Sequence, residues 1–216
     1  MAKTMVSPSI LSGDFVNMEN SVKILADWGA DLVHCDVMDG VFVKNLTFGM
    51  PMIAAIKKIS PLPLDVHLMI VEPERYAEDF IKAGADYLTF HPEASKDAKK
   101  LLQDIKSAGV KCGIVLNPNI PFADHKHLLQ YCDIICIMSV YAGHGGQKFI
   151  EESLDKVREV ATFIAENNLN VQIEIDGGVG EENAKRIKEA GVSILVAGSA
   201  VYKSADPAKT VAILKA

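Results

Sequence analysis

The sequence predicts an α/β fold, a (β/α)8 barrel formed as a single domain over residues 1–216. Eight short β-prone runs alternate with longer amphipathic segments, and strand-like runs such as 134–138 are apolar on both faces. Strands that alternate with helices form parallel βαβ units, and eight units in 216 residues suit a compact barrel. A doubly wound open sheet is the runner-up, but it favours a Gly-rich loop after an early strand, whereas the glycines here cluster late.

The eight β-prone runs follow one another at regular intervals. They are 5–10, 31–36, 64–69, 86–91, 112–117, 134–140, 171–176 and 193–198. The clearest helical segments between them are 20–28, 74–83, 98–108, 151–166 and 181–190. Gly29, Gly84, Gly109 and Gly191 each follow a helical segment, at the position where a left-handed C-cap is common.

The composition excludes several classes of protein. The chain has 49% hydrophobic and 23% charged residues, and its net charge of -6 argues against a nucleic-acid partner. No run reaches the roughly 18 apolar residues of a membrane span, and the N-terminus lacks a signal-peptide core, so we expect a cytoplasmic protein without a membrane partner. Cys35, Cys112, Cys132 and Cys136 show no C-x-x-C spacing and are expected to be reduced core residues.

Polar or small residues end the otherwise apolar strands, at the face where barrel enzymes hold their active sites. They are Ser9, His34, Asp36, His67, His91, Asn117, Ser139, Asp176, Gly198 and Ser199. His34 and Asp36 lie two residues apart on one strand and so point to the same face. His67 lies on the next strand, and Asp176 lies three strands away around a closed ring of eight. These four side chains are expected to converge over the barrel axis.

Two imidazoles and two carboxylates suit one divalent ion such as Zn, Fe, Mn or Co. The alternative is that His34 and His67 are core histidines and that Asp36 and Asp176 cap strand ends. Carboxylates on opposite sides of a bound substrate could also invert a stereocentre, because one removes a proton while the other delivers a proton to the opposite face. The arrangement therefore predicts a racemase or epimerase.

Two further groups of residues lie near these strand ends. Met38, Met69 and Met138 would surround the chemistry with apolar side chains, although core packing is the simpler explanation for methionines. Loops after strands 7 and 8 are the recurrent phosphate site of barrel enzymes, and glycine lets backbone N–H groups approach an anion. The small residues of these loops and of the loop after strand 6 are Gly143, Gly145, Gly146, Gly177, Gly178, Gly198 and Ser199. A phosphorylated substrate is predicted.

Seven segments carry a resemblance to a known family. They read Ser7-Pro-Ser-Ile-Leu-Ser12, His34-Cys-Asp-Val-Met-Asp-Gly40, Phe42-Val-Lys-Asn45, Leu64-Asp-Val-His-Leu-Met69, Gly143 to Gln147 with Phe149-Ile150, Asp176-Gly-Gly178 and Val196-Ala-Gly-Ser-Ala200. From about residue 5 to 202 the chain resembles the ribulose-phosphate 3-epimerases. The motifs around His34 and His67 are specific to that family.

The resemblance implies a barrel with one divalent metal ion that interconverts ribulose 5-phosphate and xylulose 5-phosphate. It implies that the metal ligands are His34, Asp36, His67 and Asp176, with Asp36 and Asp176 also forming the acid–base pair. It implies that Ser9 and His67 contact the sugar and that the phosphate is held by Gly143, His144, Gly145, Gly146, Gly177, Gly178, Gly198 and Ser199. A homo-oligomer, either a dimer or a hexamer, is implied in the same way.

Two loops depart from the family pattern. The loop after strand 6 reads Ala142-Gly143-His144-Gly145-Gly146 where the family usually has Pro-Gly-Phe-Gly-Gly, and Lys44 replaces the usual Pro of Phe-Val-Pro-Asn. Losing both prolines should loosen these loops, because proline restricts the chain. His144 is either a phosphate contact or an exposed lid residue. Allulose 6-phosphate, a six-carbon homologue, therefore stays open as the substrate.

The strand ends disfavour other barrel enzymes. The orotidine- and ketogulonate-phosphate decarboxylases carry Asp-x-Lys on strand 3, where this chain has Asp65-Val66-His67, and no strand ends with the Lys of a Schiff-base aldolase. A non-catalytic barrel that binds phosphosugars is the alternative from a different class, but it gives no reason for opposed carboxylates. Of Asp65 and His67, only His67 is expected at the chemistry.

Overall fold

The computed structural model describes residues 4–216. Over that range eight strands form one sheet: β1 (Met5–Ser7), β2 (Val33–Met38), β3 (Leu64–Met69), β4 (Tyr87–Phe90), β5 (Lys111–Leu116), β6 (Ile134–Met138), β7 (Gln172–Asp176) and β8 (Ile194–Val196). The α helices of the same range are α1 (Met18–Asp27), α2 (Met50–Ile59), α3 (Ala77–Ala83), α4 (Ala98–Ser107), α5 (Phe122–His125), α6 (Ser153–Glu166), α7 (Ala184–Glu189), α8 (Ser199–Tyr202) and α9 (Pro207–Lys215).

The sheet is a nearly closed parallel barrel, which confirms the predicted fold class. Its strand order is β1-β8-β7-β6-β5-β4-β3-β2, and each of these neighbouring pairs is parallel. The ring closes between β1 and β2 through backbone hydrogen bonds, in which Asp31 N donates to Val6 O (2.9 Å) and His34 N donates to Pro8 O (3.1 Å). The carboxyl ends of all eight strands therefore surround one mouth.

Successive strand residues alternate between the helices and the barrel interior. On β2, Val33, Cys35 and Val37 pack in the main core between the sheet and the surrounding helices. His34 and Asp36 point the other way, into the barrel. The interior is closed at the amino ends of alternate strands by a separate cluster of Leu32, Tyr87, Ile134 and Ile194.

The strand β5 contains a glycine because the neighbouring backbone leaves no room for a side chain. A Cβ on Gly113 would lie 2.1 Å from the carbonyl oxygen of Ile134 on β6. The helix-ending glycines were also predicted correctly, since Gly29, Gly84, Gly109 and Gly191 all adopt φ between +80° and +118°. These glycines let the chain turn from each helix into the next strand.

Some element bounds differ from the prediction. β1 ends at Ser7, because Ser9 caps a short 3-10 helix over Ile10–Ser12, and its side chain accepts a hydrogen bond from Leu11 N. Within the described range the four cysteines are free and buried, as expected. No helix in residues 4–216 has the length and apolar character needed to cross a membrane.

Candidate active site

Three strands bring the predicted ligand residues to one point in the barrel mouth. β2 carries His34 and Asp36, β3 carries His67 and β7 carries Asp176, and strand pairing sets Asp36 beside His67. One ligand atom from each of the four residues lies within 4.8 Å of the others. Oδ1 of Asp36 is 3.3 Å from both Nε2 of His34 and Nδ1 of His67. The predicted convergence of these side chains is therefore observed.

The two histidine nitrogens that face this point have no other partner. Nε2 of His34 and Nδ1 of His67 are buried and make no hydrogen bond to any residue from 4 to 216. Leaving a buried polar atom unsatisfied costs about 1–3 kcal/mol. Two such nitrogens beside two carboxylates are the donor set that a divalent ion of the first transition row prefers. The side chains present therefore fit one divalent metal ion.

The two carboxylates differ in pKa. Burial raises the pKa of a carboxyl group, but in Asp36 the neighbouring His34 overcomes this effect and holds the pKa well below its usual range. In Asp176, burial and then the negative charge of Asp36 raise the pKa to about 7. Without a bound cation, Asp36 is therefore ionised near neutral pH while Asp176 is partly protonated.

Asp65 lies behind His34 and is not part of the cavity lining, a supporting position that the sequence did not predict. Oδ2 of Asp65 is 2.7 Å from Nδ1 of His34 and accepts a hydrogen bond from Ser7 Oγ at 2.9 Å. Burial and then the charge of Asp65 raise the pKa of the buried Glu174 well above its usual value. Period-two alternation along β3 predicts that Asp65 points into the barrel, but its contact with His34 depends on the register between β2 and β3.

A second set of contacts lies behind His67. Nε2 of His67 is 3.0 Å from Nε2 of His91, which directly follows β4. On its other side, Nδ1 of His91 is 3.5 Å from Oε1 of Glu93 and 3.3 Å from Nδ2 of Asn117. Burial lowers the pKa of His91 to about 4, so its ring is neutral at pH 7. The sequence marked His91 and Asn117 only as polar strand ends.

A cavity of about 570 Å³, including the space open to solvent, covers this centre. His34 and His67 are completely buried below it. The predicted residues that line the cavity are Ser9, Asp36, Met38, Met69, Met138, Gly143, His144, Gly145, Gly146, Asp176, Gly177, Gly178, Gly198 and Ser199.

On one side of the cavity, Gly177 and Gly178 lie so close to their neighbours that a side chain at either position would collide with them. A Cβ on Gly178 would lie 2.5 Å from the backbone nitrogen of Phe149, and its φ is +61°. Ser12 also lines the cavity but was not predicted as a site residue. Its Oγ would lie 2.6 Å from a Cβ on Gly198, so a side chain at that position would collide with it. The amide of Asn45 donates to Gly143 O at 2.9 Å and so ties the loop after β2 to the loop after β6.

Comparison with known proteins assigns a family to this barrel. The profile of the Ribulose-phosphate 3 epimerase family matches residues 5–202. The chain is 46% identical over 211 residues to the ribulose-phosphate 3-epimerase of Bacillus subtilis, covering 97% of each chain. It is 45% identical over 214 residues to the chloroplastic ribulose-5-phosphate-3-epimerase of Arabidopsis thaliana, covering 98% of this chain and 76% of that protein.

Solved structures support the fold. A 3-keto-L-gulonate-6-phosphate decarboxylase from Vibrio cholerae superposes with a TM-score of 0.75 at 18% identity, over 99% of this chain and 96% of the other. At that identity the likeness concerns the barrel alone. The family match and the near-full-length sequence identities are stronger evidence than this structural likeness, because the matched ranges include the strand ends that form the site. The chain belongs to the ribulose-phosphate 3-epimerase family, whose members are isomerases.

Proposed function

We propose that this protein is a metal-dependent epimerase that inverts C3 of ribulose 5-phosphate to give xylulose 5-phosphate. One observation carries the proposal: oxygens of Asp36 and Asp176 and two unpaired histidine nitrogens meet within 4.8 Å at the floor of the cavity. Names of the relatives support this substrate. A barrel that only bound phosphosugars would have no use for this set of groups.

Asp36 and Asp176 are proposed as the acid–base pair. In one direction, one carboxylate removes the C3 proton from one face of the sugar, and the other delivers a proton to the opposite face of the enediolate. In the reverse direction their roles exchange. Ser9 Oγ donates to Oδ2 of Asp36 at 2.5 Å, which fixes the carboxylate and leaves Oδ1 facing the histidines.

His34, Asp36, His67 and Asp176 would hold one divalent ion, with Zn, Fe, Mn or Co as the candidates. When bound, such an ion supplies a Lewis acid that stabilises negative charge on the substrate oxygens. The protein itself orients each histidine from behind, through Asp65 and His91. Met38, Met69 and Met138 would keep the cavity wall free of competing proton donors.

The glycine-rich side of the cavity is proposed to bind the phosphate. Ser9 would contact the sugar, whereas His67, also expected to do so, is completely buried and is not part of the cavity lining. The phosphate-binding residues would be Gly143, His144, Gly145, Gly146, Gly177, Gly178, Gly198 and Ser199. His144 is exposed at the rim of the cavity, and its side chain makes no hydrogen bond to the described residues. That placement allows either a phosphate contact or a lid role. We also propose, from the resemblance, a homo-oligomer that is either a dimer or a hexamer, and, as a separate proposal, a cytoplasmic location.

Metal analysis and parallel assays on two substrates test this proposal. The purified protein should contain about one divalent ion per chain and should epimerise ribulose 5-phosphate faster than allulose 6-phosphate. Wash-in of deuterium at C3 from D2O should accompany turnover. A faster reaction with allulose 6-phosphate would favour the six-carbon alternative. That alternative stays open because His144 is exposed and because Lys44 and Ala142 replace the prolines that are usual in the family. A protein without metal that exchanged no substrate proton would be a binding barrel.

A further inference from the structure

His67 and His91 form a buried pair whose shared proton determines which nitrogen of His67 faces the ligands. Both rings are completely buried, and their Nε2 atoms are 3.0 Å apart. Two ring nitrogens at that distance make a hydrogen bond only if one carries a proton and the other accepts it. The direction of this bond also determines whether Nδ1 of each neutral ring carries a proton.

Two arrangements of protons satisfy the contacts. In the first, Nε2–H of His67 donates to His91, and Nδ1–H of His91 points to Glu93, whose Oε1 is 3.5 Å away. In the second, Nδ2 of Asn117 donates to Nδ1 of His91 at 3.3 Å, Nε2–H of His91 donates to His67, and Nδ1–H of His67 faces Oδ1 of Asp36. Each arrangement holds one proton on each ring.

Only the first arrangement leaves a lone pair on Nδ1 of His67, where the proposed metal ion would bind. The orientation of the Asn117 amide does not exclude the second. Oδ1 of Asn117 accepts from Ala142 N at 3.3 Å, so its Nδ2 faces His91 and Glu93. A donor is therefore available for Nδ1 of His91, and another group must favour the first arrangement.

We propose that Glu93 is a positioning residue that, through His91, keeps Nδ1 of His67 unprotonated and aimed at the ligand site. A carboxylate only accepts hydrogen bonds, so it favours the arrangement in which His91 presents Nδ1–H to it. The 3.3 Å contact from Asn117 Nδ2 gives Glu93 a second donor and fixes its position. This inference rests on the proposed function, because a lone pair on Nδ1 matters most if a metal binds there.

Replacing Glu93 by Gln should shift the balance toward the second arrangement. A glutamine amide can donate to Nδ1 of His91, which removes the preference for a proton on that atom. Metal affinity then falls in proportion to the fraction of protein that remains in the competent arrangement. Loss of a group that orients a ligating histidine typically weakens metal binding by about 10- to 100-fold.

The test begins with the full-length, metal-free protein, labelled with 15N in its histidine rings. Long-range 1H–15N correlation spectra near pH 8 report which nitrogen of His67 carries the proton, with the His67 signals assigned from their absence in His67→Gln. We expect Nε2–H in the wild type and a substantial population of Nδ1–H in Glu93→Gln. Glu93→Ala, which removes the acceptor without adding a donor, should shift His67 in the same direction if Glu93→Gln folds poorly.

Co2+ affinity, measured by absorbance in competition with a chelator, gives the second readout. Glu93→Gln should bind Co2+ about 10-fold more weakly or worse, whereas Glu166→Gln, which makes the same charge change at an exposed site on α6, should match the wild type. Unchanged His67 protonation and Co2+ affinity in both Glu93 variants would overturn the inference while leaving the proposed function intact. A wild type that binds no Co2+ would instead count against the metal site, and the metal-free spectra would still decide the role of Glu93.

Discussion

Nδ1 of His34 lies 2.7 Å from Oδ2 of Asp65, and both side chains are completely buried. In the neutral ring, the carboxylate favours a proton on Nδ1, which leaves the lone pair of Nε2 available to an ion on the cavity side. Asp65 is itself held by Ser7 Oγ. A residue that contacts no substrate thus orients one of the proposed ligands.

Asp65→Asn should weaken metal binding by about 10- to 100-fold, because an amide holds Nδ1–H of His34 less firmly than a carboxylate does. Saturating metal should restore much of the activity, since Asp65 is not expected to touch the substrate. A competition titration with a chelator measures the affinity. Asp79→Asn, on the exposed face of α3, is the matched control. Equal affinities in the wild type and Asp65→Asn would contradict this role.

Asp176→Asn should reduce epimerisation by about 100- to 10,000-fold, the usual contribution of a general acid or base. The asparagine side chain has nearly the same size, so the far-ultraviolet circular dichroism should stay close to that of the wild type. Steady-state assays on ribulose 5-phosphate measure the rate, with metal content determined on the same samples. A variant that kept a tenth of the wild-type rate would rule out the two-carboxylate assignment.

The raised pKa of Asp176 predicts a pH-dependent difference in stability for the metal-free protein. A carboxyl whose pKa rises on folding stabilises the protein fully below its ordinary value of 3.8, and that contribution is lost as the pH rises through about 7. Asparagine resembles the protonated form at every pH. From pH 5 to about pH 7, Asp176→Asn should therefore gain about 2–3 kcal/mol of stability relative to the wild type, at about 1.4 kcal/mol per pH unit, and the difference should level off above pH 7.

Urea denaturation at several pH values measures this difference after removal of metal by a chelator. The comparison cancels titrating groups far from Asp176, and Asp36, whose pKa lies well below this range, stays ionised in both proteins. Added Zn2+ should remove the trend, since a bound cation stabilises the ionised carboxylate. A stability difference that stayed constant from pH 5 to pH 8 would mean that folding does not raise the pKa of Asp176.

Gly113→Ala should destabilise the barrel by about 3 kcal/mol or more, because the new methyl group would collide with the backbone carbonyl of Ile134. Gly29→Ala is the control for conformational strain: Gly29 has φ +80° but nothing within 4 Å of an added Cβ. That control should cost only about 1–2 kcal/mol. Chemical denaturation of both variants gives the comparison. Equal losses would show that the β5–β6 contact relaxes without cost.

Much of the fold follows from the sequence because each strand is short, apolar and bounded by a polar or small residue. β3 was predicted with the observed bounds, Leu64–Met69. The first strand was predicted too long, because the apolar residue Ile10 continues its pattern while the side chain of Ser9 begins a 3-10 helix. The helix α5 was not predicted, since Phe122–His125 is too short for a helical period to be visible.

The ligand residues of the site were also predictable, since strand ends meet at one mouth in a parallel barrel. The groups behind them were not. Asp65 contacts His34, and His91 contacts His67, because of the register between adjacent strands. No local pattern in the sequence predicts that register. Glu174, which lies on β7 and is distant in the sequence, is likewise a neighbour of Asp65. The catalytic and binding roles of all these residues stay predictions.

Deuterium exchange by the two single carboxylate variants tests the central claim, that Asp36 and Asp176 act on opposite faces of C3. Asp36→Asn and Asp176→Asn are each incubated in D2O with ribulose 5-phosphate and, separately, with xylulose 5-phosphate, at saturating metal. Each variant should exchange the C3 hydrogen of one epimer without converting it, and the two variants should act on different epimers. A variant that exchanged C3 of both epimers, or two variants that exchanged the same epimer, would contradict the account.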